Sequence, residues 1–545
     1  MSDNINDVEV EETTAVSGEE NAVTDTTPEQ DVELNAAEEN VAAEEQSEKS
    51  DGDDKPKAID YNNDVDDDDD DDEEEHAKNG KKKKKPLTRA QKKKRRITAL
   101  ISVCAVILAL GIFISGVAIA NPIVVKALIA QAKNYTAVEY GDGEQFIKGE
   151  KGTVGVNLYQ DDDEYWTFVT DNDFKVLQLT DVHIGGGSFS KEKDMWAMNA
   201  VATMIRAEKP DLVIVTGDIA FPVPYASGSF NNLGATKIFA NMMESLGVYW
   251  TFAFGNHDTE AYSMYTRDDI CNYYEEEIQK GNLAHCLFQR GEADDPALKL
   301  KEDDLGYGNT IIKVKNTQGI VTQALVTLDS HSYIEGDYFG AAWKYDNIHQ
   351  SQVDWYVAEM QKLVQANKQI DPNCSDEVKN LAFFHIPLVE YREAWSQVIN
   401  SNRKDLSKGD VIERNGTTVK YYYGKMGESD KKKNGQRTYG VFCGLHQDDF
   451  FEQGVQNGLQ GTFSGHDHYN NFSVEYTKSW EENGETKSGT VRLTYGMSID
   501  YLAYPGIYKE HLQRGCTVIT VEPDGDFDCV QKNYYEDYNV KHEKG

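Results

Sequence analysis

Residues 97–120 form an unbroken run of 24 positions without a charge, rich in Ile, Leu, Val, Ala and Gly. About 20 such residues span the hydrocarbon core of a bilayer as a helix, so the run predicts a transmembrane helix over 97–120. From Phe174 onward the pattern changes to short apolar stretches. Residues 174–180, 212–216 and 248–254 read as strands, the second nearly continuous in apolar character, as a buried parallel strand requires. Between them, 191–208 sets Met195, Met198, Val201, Ala202 and Ile205 at helical spacing, and 235–246 is helical again. The alternation β-α-β-α-β predicts parallel strands with crossover helices. Further strands are predicted at 309–314, 323–328, 381–384, 459–464, 472–476, 491–495 and 517–521, with a helix over 350–365. The polar stretch 401–437, rich in Lys, Asp and Gly, reads as an insertion loop.

Charge divides the chain more sharply than hydropathy does. The formal net charge is -39, yet residues 1–80 hold 31 Asp or Glu against 4 Lys, and 81–96 hold 11 Lys or Arg and no acid. The acidic segment has few aromatics and cannot offset its chain entropy by burial, so it is expected to be disordered. The basic flank precedes the apolar run, which predicts a cytoplasmic N-terminus and an exported remainder. A signal peptide cleaved after Ala118-Ile119-Ala120 is the rival reading. The long preceding segment and the length of the run favour an uncleaved anchor.

The expected division is an acidic cytoplasmic arm (1–80), a polybasic juxtamembrane segment (81–96), a transmembrane helix (97–120) and a stalk (121–172). A folded domain (173–530) and a polar tail (531–545) follow, in a single-pass protein of the cell membrane. The arm could engage a basic partner, whereas the negative field disfavours nucleic acid. Six of the seven cysteines fall in the exported part, where disulfides are permitted. No CxxC is present, which argues against a thiolate zinc site.

Polar clusters follow the strands: Asp181 and His183, then Asp218, then Asn256, His257 and Asp258, then His385, then His466 and His468. In open α/β sheets, sites form beyond the carboxyl ends of strands. Each cluster alone has a plainer reading as a cap or turn. Five in succession, each closing an apolar strand, are hard to explain as unrelated turns. A pair of hydrolytic metal ions needs imidazole nitrogens, carboxylate oxygens, a bridging carboxylate and an open position for water. Asp181, His183, Asp218, Asn256, His385, His466 and His468 supply that set.

The ordered motifs Asp181-Val182-His183, Gly217-Asp218, Gly255-Asn256-His257-Asp258, His385 and Gly465-His466-Asp467-His468 resemble those of the calcineurin-like metallophosphoesterase family. The resemblance implies an α/β (α+β) fold, a four-layered α-β-β-α sandwich, and two divalent metal ions (Mn, Fe, Zn or Co). It implies that Asp181, His183 and His468 hold the first ion, Asn256, His385 and His466 the second, and that Asp218 bridges them. His257 is implied to contact the phosphate and assist the leaving oxygen, with Asp258 orienting it.

A closer likeness, to the purple-acid-phosphatase-like branch of plants and yeast, rests on Leu328-Asp329-Ser330, His385-Ile386-Pro387-Leu388, His468-Tyr469-Asn470-Asn471-Phe472 and the stretch from Tyr495-Gly496 to Arg514-Gly515. The chain departs from the purple enzymes at His183, where their first motif ends in Gly, and at Phe221, where they carry a ferric-binding tyrosine. The implied function is a membrane-anchored phosphoesterase that hydrolyses a phosphate ester by attack of a metal-bridging hydroxide. Its substrate would be a small phosphorylated molecule or a phosphoprotein, monoester or diester. The alternative is a catalytically decayed surface binding protein on a phosphatase scaffold; decay would remove ligands, and none is missing. His331, at a strand end, is a further candidate for substrate contact.

Overall fold

The computed structural model describes residues 88–291, 305–334, 336, 337, 340, 342–403, 405–427, 440–446, 448–504 and 514–541. The acidic arm and residues 81–87 of the basic segment lie outside them. One helix, α1 (Arg89–Ala132), carries the apolar run and continues past it. Thr88 caps it, its hydroxyl accepting from Gln91 N while the Gln91 side chain accepts from Thr88 N. The window Ser115–Ala132 is long and apolar enough to cross a membrane by length and composition. Leu128 and Ala132 are nevertheless buried in protein, with Val124, Val125 and Ile129 packed beside them. The end of α1 therefore faces the domain, whereas most of the described side chains of the apolar run before Asn121 are exposed.

Strands β1 (Leu158–Gln160) and β2 (Trp166–Val169) form a hairpin. Next come β3 (Phe174–Leu179), α2 (Lys191–Glu208), β4 (Leu212–Thr216), the short α3 (Pro224–Ser227), α4 (Asn232–Leu246) and β5 (Trp250–Ala253). This is the predicted β-α-β-α-β unit, with β3, β4 and β5 parallel. After α5 (Arg267–Gln279) follow antiparallel β6 (Thr310–Lys315) and β7 (Val321–Thr327), then α6 (Gln350–Ile370), β8 (Asn380–Phe383) and α7 (Val389–Asn400). The chain continues through β9 (Val411–Arg414), β10 (Thr417–Tyr423), α8 (Phe450–Gln456), β11 (Leu459–Ser464), β12 (Ser473–Glu482), β13 (Glu485–Tyr495), β14 (Gly515–Val521) and β15 (Phe527–Asn533).

Two sheets result, in the orders β15-β14-β3-β4-β5 and β1-β2-β6-β7-β8-β11-β13-β12-β10-β9. The pleat sorts side chains between two faces. Phe174 and Val176 of β3 and Leu212 and Ile214 of β4 meet Leu325, Leu381, Phe383 and Phe463 of the larger sheet. Leu177, Leu179, Val213 and Val215 point the other way, onto α2 and α4. The far face of the larger sheet packs on α6, α7 and α8 through Tyr356, Tyr391 and Phe450. The architecture is the expected four-layered α-β-β-α sandwich. Fully burying one such Leu, Ile or Phe is worth roughly 1.5–3 kcal/mol, so both sheet faces and both helical layers contribute to stability.

Three expected segments differ. Residues 121–172 are no stalk. Beyond the docked end of α1, β2 pairs with β6, and the acidic turn is held by lysines, with Lys313 Nζ 2.7 Å from Asp163 Oδ2. The stretch 401–437 is not simply a loop, because β9 and β10 form a hairpin that pairs onto β12. Its turn, Asn415-Gly416, has φ of 51° and 78°, the left-handed pair that such hairpins require. The tail begins later than residue 531, because β15 runs to Asn533 and Tyr534 and Tyr535 are buried. All seven cysteines are free, and burial pushes the Cys271, Cys286, Cys443 and Cys516 thiols up to about 12.

Candidate metal centre

Strand ends supply the site. β3 stops just before Asp181 and His183, β4 before Asp218, β5 before Asn256, β8 before His385 and β11 before His466 and His468. Asp181, His183, Asp218 and His466 hold positive φ of 50°, 54°, 53° and 76°. Non-glycine residues adopt this region at a cost and cluster at functional sites. Gly255 lets two of the loops touch, since a Cβ there would lie 2.1 Å from Asp218 Oδ1.

The side chains converge in two overlapping groups. Asp181, His183, Asp218 and His468 are buried, with ligand atoms within 4.8 Å of one another. Beside them, His385 Nε2 lies 3.1 Å from Asn256 Oδ1 and 3.3 Å from His466 Nδ1. One oxygen joins the groups: Asp218 Oδ2 lies 3.2 Å from both His183 Nε2 and His385 Nε2.

The two carboxylates of the site are held ionised. Burial opposes charge on Asp218, but His385 and His257 outweigh it and hold the carboxyl well below its usual range. Asp181 shifts the same way, with burial outweighed by His468. Burial, with His385 adding to it, pushes His466 well below the ordinary imidazole range. Two ionised carboxylates, an amide oxygen and imidazole nitrogens in near contact form an N/O donor set with no thiolate. The residues present fit a divalent metal ion.

Outer contacts orient the rings. His385 Nδ1 is 2.8 Å from Thr216 O, which directs Nε2 into the site. Asp500 does the same for two rings at once, 3.3 Å from His183 Nδ1 and 3.1 Å from His468 Nδ1. Sequence reasoning missed Asp500. The signal was available, because it is a polar residue just beyond β13, the strand paired in parallel with β11.

Asp258 is placed differently from expectation. Its carboxylate accepts from three backbone amides, Asp218 N at 3.1 Å, Ala220 N at 2.8 Å and Gly255 N at 2.8 Å. It ties the second and third motif loops together. Glu260 instead meets His257, with Oε1 2.7 Å from Nδ1. Tyr333 joins this network, its hydroxyl donating to Glu260 Oε1 and accepting from Asn256 Nδ2, both at 3.0 Å. His257 is part-exposed at the rim, with its backbone N donating to Asp218 Oδ1 at 2.8 Å. Phe221 stacks on His183 with centroids 4.5 Å apart and planes 12° apart.

His331 contacts Gln352 Oε1 at 3.0 Å through Nε2 and stacks on His349 at 3.9 Å. His331, Asp346 and His349 form a second titratable group. There the His349 side chain caps α6 and its Nε2 lies 3.1 Å from Asp346, so both ring nitrogens are already used. A cavity of about 900 Å³, bordered by Val321, Lys379 and Gly458, lies where the strands begin, at the opposite end from the metal cluster.

Comparison with known proteins agrees with the geometry. "Probable inactive purple acid phosphatase 14" of Arabidopsis thaliana is 26% identical over 325 residues, 56% of this chain and 69% of its own length. "Probable inactive purple acid phosphatase 29" of the same plant is 26% identical over 371 residues, 65% of this chain and 78% of its own. "Phosphatase DCR2" of Saccharomyces cerevisiae is 27% identical over 280 residues, 48% of this chain and 42% of its own. The family model for calcineurin-like phosphoesterases matches residues 174–424, which contain four of the five motifs. The fifth, at Gly465-His466-Asp467-His468, completes the same cluster in space.

Proposed function

We propose that this protein is a membrane-anchored phosphoesterase that works with two divalent metal ions. The observation that carries the reading is the shared oxygen, Asp218 Oδ2, equidistant at 3.2 Å from an imidazole of each ligand group. Asp181, His183 and His468 would hold one ion, Asn256, His385 and His466 the other, with Asp218 between them. Bound there, such ions supply an activated water and neutralise charge on the phosphate. His257 sits part-exposed beside Asp218, positioned to give a proton to the leaving oxygen, and Glu260 fixes its ring. Asp258 acts through the backbone by setting the spacing of the Asp218 and Asn256 loops.

The anchor is α1, with the basic flank and acidic arm in the cytoplasm and the domain outside or in a lumen. The arm would recruit a basic partner; the site would take a small phosphorylated molecule or a phosphoprotein. A second reading, a surface protein that has lost catalysis, draws on the word "inactive" in the names of the two plant relatives.

Metal analysis of the full chain, with assays on aryl monoesters and diesters, separates the readings. Asp218→Ala is expected to lose metal and turnover together, and His257→Ala to keep metal while turnover falls at least 100-fold. Bound metal without hydrolysis by the wild type supports the second reading. Absence of both metal and hydrolysis sinks the first.

A further inference from the structure

We infer that the substrate is a phosphate ester carried by a membrane lipid, reached by a catalytic rim that rests on the bilayer. The inference rests on the phosphoesterase reading and the α1 anchor. It starts at Asn121, the first residue beyond the apolar run. Its amide is fully used by the domain: Nδ2 donates to Gly228 O at 2.5 Å, and Oδ1 accepts from Ser188 N at 3.0 Å and Ser188 Oγ at 2.6 Å. A run of 24 helical residues is about 36 Å long, enough to cross the hydrocarbon core and bring Asn121 to the water interface. The loops bonded to Asn121 lie at that level.

Those loops are the rim of the metal centre. Ser188 follows His183 by five residues, and Gly228 follows Phe221, which stacks on His183. They are packed into one platform, since a Cβ on Gly187 would sit 2.0 Å from Ser227 O. The loop after His257 joins it, with Met264 N donating to Phe230 O at 2.9 Å. Each of the three loops leaving β3, β4 and β5 presents large apolar side chains to the exterior. Phe189 is 48% exposed, Tyr225 86%, Phe230 48% and Met264 64%. Aromatic side chains on loops level with the end of a membrane helix are suited to the headgroup region.

A rim so placed takes a phosphate that protrudes from the lipid surface. In the reaction, water oxygen bonds to phosphorus and the bond from phosphorus to the lipid oxygen breaks. That oxygen gains a proton, leaving a lipid alcohol together with inorganic phosphate from a monoester, or together with one phosphate monoester from a diester.

The test reconstitutes the full chain, loaded with divalent metal, into phosphatidylcholine vesicles doped with phosphatidate, phosphatidylinositol phosphate or phosphatidylglycerol. Each lipid is compared with its soluble headgroup phosphate and with an aryl phosphate. At least one lipid is expected to show kcat/KM tenfold or more above its headgroup. The triple variant Phe189→Ser, Tyr225→Ser, Phe230→Ser is expected to lose that advantage while aryl hydrolysis stays within twofold. Aryl hydrolysis without any lipid preference overturns the inference and leaves the phosphoesterase reading intact; no hydrolysis of any of these substrates by the metal-loaded chain overturns both. An equal fall on both substrates in the triple variant also overturns the inference. A measurement free of turnover uses Tyr225→Trp in vesicles with brominated acyl chains. The added emission is expected to be quenched, and unquenched emission places the rim away from lipid or against a protein partner, which overturns it.

Discussion

Glu260 Oε1 lies 2.7 Å from His257 Nδ1, so the carboxylate nearest this ring nitrogen comes from three residues along the chain, and the adjacent Asp258 points into backbone. Glu260→Gln is expected to lower kcat about tenfold with metal content unchanged, and to move the pH profile of kcat. Asp258→Asn is expected to lower thermal stability instead. Unchanged kcat and pH profile in Glu260→Gln would remove it from the positioning of His257.

Asp500 touches two ligand rings at once, through Nδ1 of His183 and of His468. Asp500→Asn is expected to weaken metal binding about 10- to 100-fold, read by titration of the stripped full chain with zinc or manganese. Affinity equal to wild type would mean that Asp500 serves the fold alone.

Arg267 and Asp329 form a buried ion pair, and the guanidinium also donates to Ser332 Oγ at 2.9 Å and His331 O at 3.2 Å. Asp329→Ala leaves the buried cation without its carboxylate and is expected to cost about 3–5 kcal/mol. The readout is the melting temperature. A fall of less than a degree contradicts the assignment.

Lys478 Nζ lies 2.5 Å from Glu390 Oε1 and 2.7 Å from Glu452 Oε1, and the charges of all three bear on the buried carboxyl of Asp448. Burial, and then the charge on Glu390, push Asp448 up to about 8. The fold therefore binds a proton that the unfolded chain releases near pH 4, and stability falls as pH rises from about 4 to about 8. Asp448→Asn is expected to flatten that slope and to gain on the order of 1 kcal/mol at pH 9. An unaltered slope from chemical denaturation at several pH values would show that the proton resides elsewhere.

Much of the site was legible because each ligand obeys one rule, a polar residue closing an apolar strand. The rule places Asp181, Asp218 and His385 from residue order alone. It fails for contacts set by tertiary placement. Nothing local distinguishes Glu260 from Asp258 as the partner of His257; the choice depends on the three amides that capture Asp258. In the fold, the two main sheets follow from periodicity, whereas β9 and β10 were hidden by polar composition despite the Asn415-Gly416 turn. The expected stalk looked like a spacer because its acids read as solvated, while Lys313 and Lys315 across the sheet claim Asp161.

The free cysteines carry a consequence for redox sensitivity. Five of the seven are buried and none closes a loop between distant parts of the chain. Thiols buried in apolar surroundings are poorly reactive. Reducing agents are therefore expected to leave the native state of this domain untouched.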